Sequence, residues 1–274
     1  MIREPAPAKL NLALHVRARR PDGYHDLETL FAFCRDGDLI ELAPADANRF
    51  AIAGPFAAAL EESTDNLVTR AAQAFATAFG VTRPHAITLT KNLPVASGIG
   101  GGSADAAATL RALARLHGVP LDRPDLHALT AELGADVPAC LLGRTAIGRG
   151  RGDALRPVSG LPSLPVLLVN PGVPVSTAAV FARWDGADRG PLGGGDPLSV
   201  ARAGRNDLEA AARALAPEID EVLALLSAQP GVLLARMSGS GATCFALFED
   251  ERARAVARDA VAERGWWRLE TALA

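Results

Sequence analysis

The sequence predicts an α+β protein with two lobes, and three observations support this fold class. Strand-like segments come first, a helical middle follows, and strands return in the C-terminal half, an order that favours two α+β lobes over one doubly wound sheet. A content of 49% hydrophobic and 22% charged residues over 274 positions is typical of a packed protein. A proline-containing stretch at residues 156–165 precedes a buried-strand pattern, which indicates domains at 1–156 and 157–274.

The first domain opens with a predicted strand over residues 8–16, in which apolar side chains alternate with others. We expect one buried face, formed by Leu10, Leu12, Leu14 and Val16. The opposite face is shared by Lys9, Asn11, Ala13 and His15. A turn at 20–23 leads to a strand at 37–42, and strand-like residues return at 86–90. Apolar spacings of three and four predict a helix from residue 67 and another over 103–117 that ends at Gly118.

The second domain alternates strands and helices in the same way. We predict a buried strand at 166–169, a mobile glycine-rich loop at 186–197, and helices over 207–215 and 217–226. A strand at 242–248 and an amphipathic helix over 251–264 complete the chain.

Composition and charge exclude several classes of function. The net charge of −3 leaves no basic excess for general nucleic-acid binding. The longest apolar runs are far below the roughly 20 residues that span a bilayer, and the first residues lack the apolar core of a signal peptide, so a cytoplasmic location is expected. Cys34, Cys140 and Cys244 are odd in number and widely spaced, which predicts three buried thiols and no disulfide or cysteine metal site.

Rare residue types carry information in this arginine-rich sequence. Only Lys9 and Lys91 are lysines, so 28 − 2 = 26 of the basic residues are arginines. A lysine that persists against this bias indicates a position where a compact ammonium is needed, although chance placement remains open. The only tyrosine, Tyr24, precedes one of five histidines, His25.

A glycine loop at residues 94–104 lies between a predicted strand and a predicted helix. Its glycines at 98, 100, 101 and 102 let backbone N–H groups face a ligand, and the following helix N-terminus favours an anion. It is neither a Walker A loop nor a full dinucleotide fingerprint. A flexible linker is the alternative. Ser103 would either cap the helix or touch phosphate, and Asp105 would complement the helix dipole.

Five segments together resemble the superfamily of galactokinase, homoserine kinase, mevalonate kinase and phosphomevalonate kinase. The loop is similar to its ATP-cradling segment, residues 7–12 resemble its N-terminal strand motif, and residues 237–245 resemble its C-terminal glycine motif. Residues 21–27 and 134–138 resemble those members that act on a cytidylyl sugar alcohol. The resemblance implies a two-lobed GHMP-kinase fold, with an N-terminal ribosomal-protein-like α/β lobe, a C-terminal α+β lobe and the active site in the cleft between them.

The same resemblance implies a reaction. ATP, with Mg²⁺, would phosphorylate the 2-hydroxyl of 4-diphosphocytidyl-2-C-methyl-D-erythritol, giving the 2-phosphate and ADP in non-mevalonate isoprenoid-precursor synthesis. Asp136 would be the general base and Lys9 would keep it ionised and offset developing charge. From the residues alone, Asp136 is equally well a helix or turn cap, and Lys9 an exposed strand lysine. We expect Pro138 to hold Val137 extended.

The remaining site residues follow from the resemblance as well. Substrate would be bound by Asn11, Tyr24, His25 and Phe181, although Phe181 is also a reasonable core residue. Asn66 is one of the ATP-binding candidates, although helix capping alone would also explain an asparagine at this position. ATP would be bound by Pro94, Val95, Ala96, Ser97, Gly98, Ile99, Gly100, Gly101, Gly102, Ser103 and Ala104, with Asn66 and Lys91.

Some features depart from the family pattern or leave alternatives open. Ala139 and Cys140 stand where the family often has aromatics, and Asp153 stands where it has glutamate. No helix offers an obvious glutamate for Mg²⁺, so we expect phosphates and water to hold the metal. The rivals are a kinase for another small alcohol, a nucleotide sensor without turnover, and an RNA-binding module, which the charge disfavours. Nothing in the sequence predicts the oligomeric state.

Overall fold

The computed structural model describes residues 1–61 and 66–274, and these form an α+β protein. The strands are β1 Ile2–Arg19, β2 His25–Pro44, β3 Arg49–Ala53, β4 His85–Thr90, β5 Ala146–Gly150, β6 Ala154–Pro157, β7 Pro165–Asn170, β8 Val232–Met237, β9 Cys244–Phe248 and β10 Trp267–Ala272. The helices are α1 Ala58–Glu61, α2 Leu67–Phe79, α3 Gly101–His117, α4 Pro124–Leu133, α5 Val137–Leu142, α6 Thr177–Ala182, α7 Pro197–Ala203, α8 Glu209–Leu215, α9 Glu218–Ser227 and α10 Glu251–Ala262.

The chain forms two compact units, and each is assembled from separate stretches of sequence. The first unit comprises Met1–Ala8, Asp36–Val95 and Gly100–Gly143, and the second comprises Lys9–Arg35, Ala96–Ile99 and Arg144–Ala274. The long strands β1 and β2 therefore contribute residues to both units. The predicted boundary between 1–156 and 157–274 stays a prediction.

The first unit combines a mixed sheet with helices. Strand β4 pairs antiparallel with the end of β2, from Leu39 opposite Thr90 to Pro44 opposite His85, and β3 runs parallel to β4. Helix α3 packs against α2 and α5. Its buried residues are mostly alanines, whose small side chains let neighbouring helices approach closely.

The helix and strand predictions for the first unit are confirmed with shifted ends. Helix α2 begins at Leu67 behind the N-cap Asn66, β4 covers 85–90, and α3 ends before Gly118, which adopts the left-handed conformation. Helix α3 begins two residues earlier than predicted, with Gly100 at its N-cap, so Ser103 does not cap it.

The second unit contains a four-stranded antiparallel sheet in the order β10-β7-β9-β8. The predicted strand at 166–169 is the centre of β7 and is buried on both faces, which explains its unbroken apolar run. Helices α9 and α10 pack on this sheet. The start of β2 pairs antiparallel with β5, from Leu27 opposite Gly150 to Phe31 opposite Ala146.

Three expectations about local structure were wrong. Both faces of β1 are buried rather than one, since Lys9, Asn11, Ala13 and His15 are each no more than 2% exposed. Strand β2 begins at His25, well before residue 37, because residues 27–31 pair with β5. Val137 is the first residue of α5 rather than extended, because Pro138 lies in the first turn, where a missing N–H costs no hydrogen bond.

Two composition-based predictions have counterparts in the structure. The three cysteines are buried, as predicted. Over the described ranges, each helix is too short or too polar to cross a membrane.

Candidate active site

The glycine loop ends in a helix N-terminus suited to an anion. Ala96, Gly98 and Gly100 have positive φ angles of 52°, 78° and 66°, which turn the backbone sharply. Helix α3 then begins at Gly101 with no side-chain cap at Gly100. The first N–H groups of this 17-residue helix are thus not occupied by a capping side chain, and the helix dipole adds partial positive charge there.

The first part of the loop is fastened within the second unit by the two other motifs. The Lys9 N–H donates to the Ile99 carbonyl at 2.9 Å, and the Thr243 N–H donates to the Ser97 carbonyl at 3.1 Å. The Ser238 hydroxyl donates to the Gly98 carbonyl at 3.0 Å. A Cβ at Gly98 would lie 2.8 Å from the Gly241 nitrogen, so only glycine fits this approach. The strand motif, the loop and the C-terminal motif therefore meet as one hydrogen-bonded structure.

Lys9 is buried and oriented by neighbouring side chains. Its Nζ donates to Asn11 Oδ1 at 2.8 Å and lies 5.3 Å from the centre of the Phe31 ring. The Asn11 Nδ2 donates to Thr29 Oγ1 at 2.8 Å, and the Thr29 hydroxyl donates to the Ala13 carbonyl at 2.8 Å. The alternative of an exposed strand lysine is therefore wrong, because Lys9 is only 2% exposed.

Lys91 lies in the first unit between two carboxylates. Its Nζ donates to Asp38 Oδ2 at 2.5 Å and to Asp105 Oδ2 at 2.7 Å, and all three side chains are at most 3% exposed. Asp38 Oδ1 also accepts from the N–H groups of Asn92 and Leu93. A Cβ at Gly101 would lie 3.0 Å from Lys91 Nζ. The ion cluster therefore contacts Leu93, directly before the glycine loop, and lies beside Gly101 within it.

The electrostatics of the cluster follow from its burial. Burial is the main cause that raises the pKa of Asp105 to about 7. The positive charge of Lys91 lowers this pKa, and the like charge of Asp38 raises it. Burial lowers the pKa of Lys91, but the two carboxylates outweigh it and the net direction is upward. Asp105 Oδ1 is buried without a hydrogen-bond partner. Asp105 is thus tied to Lys91 and does more than complement the helix dipole. Contact of Lys91 with nucleotide stays a prediction.

Asp136 stands at the N-cap position of α5 in the first unit and is half-buried. Its side chain makes no capping hydrogen bond, while its carbonyl accepts the Cys140 N–H at 3.0 Å. The backbone therefore occupies a cap position, but the carboxylate is not used as the cap. Asp136 therefore takes the helix-cap position that the alternative predicts, but without a capping hydrogen bond from its side chain.

His25 and Phe181 come together in the second unit with a third aromatic residue. The His25 ring centre lies 4.8 Å from that of Phe181 and 5.6 Å from that of Trp184. Burial, with a smaller contribution from the charge of Arg19, lowers the pKa of His25 and so favours its neutral imidazole. His25 Nε2 and Trp184 Nε1 are buried without hydrogen-bond partners. Trp184, three residues beyond Phe181, was not predicted, although this helical spacing and the scarcity of tryptophan were the available signals.

Tyr24 follows the predicted turn and is 50% exposed. The Arg151 guanidinium lies 5.1 Å from its ring centre, and Asp153 Oδ2 accepts from Arg151 at 2.8 Å. The aspartate that replaces the family glutamate therefore holds the arginine that covers Tyr24. No sequence signal distinguishes this arginine, because arginine is common throughout the chain.

Asn66 and Ser103 are the remaining predicted residues near the helix starts. Asn66 Oδ1 accepts the Val68 N–H at 2.8 Å, so its capping role is confirmed and its contact with ATP stays a prediction. Ser103 is half-buried in the first turn of α3. Within residues 1–61 and 66–274, no group of three or more histidine, cysteine, aspartate or glutamate side chains is placed to hold a metal ion.

Comparison with known proteins adds independent information. The family model for the GHMP kinases N terminal domain matches residues 66–144, and that for the GHMP kinases C terminal domain matches residues 193–265. A protein of Rhizorhabdus wittichii is named 4-diphosphocytidyl-2-C-methyl-D-erythritol kinase. It is 57% identical to this chain over an alignment 276 residues long, which covers 98% of this chain and 94% of the relative.

Solved structures agree with these matches. A crystal structure of 4-(cytidine 5'-diphospho)-2C-methyl-D-erythritol kinase is similar with a TM-score of 0.80 and 37% identity over 99% of both chains. A homoserine kinase from Cytophaga hutchinsonii has a TM-score of 0.70 at 21% identity, over 100% of this chain and 94% of that one. The second likeness concerns the fold alone.

Proposed function

Since the chain belongs to the GHMP kinases and, within them, to the 4-diphosphocytidyl-2-C-methyl-D-erythritol kinase family, we propose that it phosphorylates the 2-hydroxyl of 4-diphosphocytidyl-2-C-methyl-D-erythritol with ATP. The products are the 2-phosphate and ADP, in the non-mevalonate synthesis of isoprenoid precursors. The observation that carries the proposal is the hydrogen-bonded union of the Lys9 strand, the glycine loop and the C-terminal glycine motif. We also propose that the reaction takes place in the cytoplasm, the location expected from the sequence.

The glycine loop and the start of α3 are proposed to hold the ATP phosphates. Phosphoryl transfer requires mainly positioning and charge stabilisation, and backbone N–H groups at a helix N-terminus supply both. The ion cluster of Lys91, Asp38 and Asp105 supports this segment from inside the unit. We therefore propose that Lys91 acts on the nucleotide chiefly through the loop.

Asp136 is proposed to take the proton of the attacking hydroxyl, and Lys9 to stabilise the charge that develops. Asp136 lies at the N-terminus of α5, where its side chain makes no capping hydrogen bond, and the Lys9 ammonium is oriented by Asn11. A carboxylate that accepts a proton and an ammonium that stabilises negative charge are the two groups the transfer requires.

The cytidylyl group is proposed to bind at His25, Phe181 and Tyr24. A neutral imidazole with an unpartnered buried nitrogen suits a hydrogen bond to a base edge, and an aromatic ring suits stacking. Asn11 would orient the acceptor alcohol. Mg²⁺ would arrive with ATP, held by phosphate oxygens and water as the hard cation prefers, and would neutralise phosphate charge.

The test is coupled ADP release with ATP and magnesium over four acceptors. These are the cytidylyl substrate, methylerythritol phosphate without cytidine, homoserine and mevalonate. We expect turnover with the cytidylyl substrate only. Turnover with homoserine or mevalonate would contradict the roles of Tyr24, His25 and Phe181, and ATP binding without any ADP release would favour the nucleotide sensor.

A further inference from the structure

Thr29 is a buried polar residue in an otherwise apolar stretch of β2. It is 1% exposed, and the residues that follow it, Leu30 to Cys34, are apolar and buried. Its Oγ1 donates to the Ala13 carbonyl and lies 2.8 Å from Asn11 Nδ2. A threonine hydroxyl has one hydrogen to donate, and here it is donated to the Ala13 carbonyl. Toward Asn11 the Thr29 oxygen can therefore act only as an acceptor.

This hydroxyl determines which way the Asn11 amide points. Because Nδ2 faces Thr29, Oδ1 faces Lys9 and accepts from its Nζ at 2.8 Å. In the reversed amide, the NH₂ group would face the ammonium and Oδ1 would face the Thr29 oxygen, so both hydrogen bonds would be lost. The Asn11 backbone is held separately, by its N–H to Ser238 Oγ at 3.2 Å.

We propose that Thr29 is a positioning residue that sets the direction of the Lys9 ammonium through the Asn11 amide. The proposal rests on the proposed role of Lys9 in phosphoryl transfer. Because Thr29 is only 1% exposed, we expect it not to contact ATP or the acceptor directly. Its effect on Lys9 therefore falls on kcat and leaves the KM for ATP unchanged. Any change in the KM for the acceptor comes from the Asn11 amide, which we propose orients the alcohol.

The kinetic test compares three variants of Thr29 with the wild-type chain. Thr29→Val keeps the branched shape and removes the hydroxyl, and we expect kcat to fall about tenfold, as for the loss of one oriented hydrogen bond. Thr29→Ser restores the hydroxyl and most of kcat. Thr29→Ala repeats the deletion in a smaller side chain should the valine variant fold poorly.

A double substitution tests whether Thr29 acts through Asn11. If it does, Asn11→Ala alone and Asn11→Ala combined with Thr29→Val have the same kcat, because the amide is absent from both. A further loss in the double variant would overturn the proposal.

The two lysines allow a readout that does not depend on the substrate. With ¹⁵Nζ-labelled lysine, the NMR spectrum contains one ammonium signal for Lys9 and one for Lys91, which is the internal control in the other unit. We expect Thr29→Val to shift the Lys9 signal and speed its hydrogen exchange, and Thr29→Ser to restore both.

The outcomes separate this proposal from the proposed function. An unmoved Lys9 signal in Thr29→Val and Thr29→Ala overturns the positioning role, whatever the substrate is. If the signal moves but the wild-type chain does not phosphorylate the cytidylyl substrate, the proposed function fails and the positioning of Lys9 is supported. Loss of kcat in Thr29→Ser equal to that in Thr29→Val contradicts the hydroxyl as the cause.

Discussion

The surroundings of the two lysines differ although both residues are 2% exposed. In the first unit Lys91 is enclosed by the carboxylates of Asp38 and Asp105, and in the second unit Lys9 is oriented by the neutral amide of Asn11 beside the Phe31 ring. An ammonium bound to two buried carboxylates stabilises structure, whereas an ammonium oriented by an amide is suited to stabilising charge in a reaction. The rarity of lysine marks both positions, and only their environments separate the two tasks.

The largest expected effect concerns Asp136, the group we pair functionally with Lys9. Asp136→Asn should lower kcat by about 10²–10⁴, because general-base catalysis contributes on that order. ATP affinity should stay near wild type, because asparagine has nearly the same size and shape as aspartate. Steady-state kinetics and calorimetric ATP binding on one preparation measure both. An active variant would refute the role of the carboxylate.

Lys91→Met tests the structural side of the comparison. Removing the cation leaves two buried carboxylates without a partner, so we expect the free energy of unfolding to fall by about 3–5 kcal/mol at pH 8. Urea unfolding gives this quantity. Adding Asp105→Asn should recover part of the loss, because one buried charge is removed. Unchanged stability would break the distinction between the two lysines.

Lys9→Arg tests the catalytic side. The charge is kept but the planar guanidinium does not reproduce the compact ammonium, and we expect kcat to fall by about 10²–10³. The urea midpoint should change little compared with that of Lys91→Met. A variant with full kcat would mean that Lys9 is retained for its charge alone, and a large loss of stability would make it a second structural lysine.

Tyr24→Ala addresses recognition of the substrate. Stacking on a base is worth about 1–3 kcal/mol, so the affinity for the cytidylyl substrate should weaken by that amount while ATP binding is unaffected. Calorimetry with the substrate alone measures it, and Arg151→Ala is the matched control for the guanidinium over the ring. Equal affinity in Tyr24→Ala and wild type would make the tyrosine structural.

The smallest expected effect is a pH dependence of the ion cluster. The pKa of Asp105 is raised by burial to about 7, so the stability associated with its protonated form is present at low pH and is lost as pH rises through about 7. The destabilisation by Lys91→Met should therefore be smaller at pH 5 than at pH 8. Taking the difference between variant and wild type removes the other titrating groups. A pH-independent difference would contradict the lowering of the Asp105 pKa by Lys91.

Much of the fold was predictable because it depends on local patterns. The helix from Leu67, the strand at 166–169 and the end of α3 at Gly118 follow from apolar spacing and a glycine cap. The burial of both faces of β1 was not predictable, because polar residues on one face resemble a solvent-exposed face in sequence. Their hydrogen bonds to Thr29 and Gly190 come from distant parts of the chain.

The candidate site shows the same limit. Motif resemblance names Lys9, Asp136 and the glycine loop, whose features are continuous in sequence. Asp38 and Asp105 were not recognised as partners of Lys91, because they are 53 and 14 residues away from it. Periodicity does not encode which distant side chains meet, so contacts of this kind require the folded structure.

The most direct test of the proposed reaction is the ³¹P NMR spectrum of the product formed from ATP and the cytidylyl substrate. Carbon 2 of a 2-C-methyl erythritol bears the methyl group and no hydrogen, so a phosphate on its hydroxyl has no carbinol hydrogen three bonds away. The proposed reaction predicts one new phosphomonoester signal without proton splitting, equal in amount to the ADP formed. A split phosphomonoester signal, or ADP without a new phosphomonoester, would contradict it.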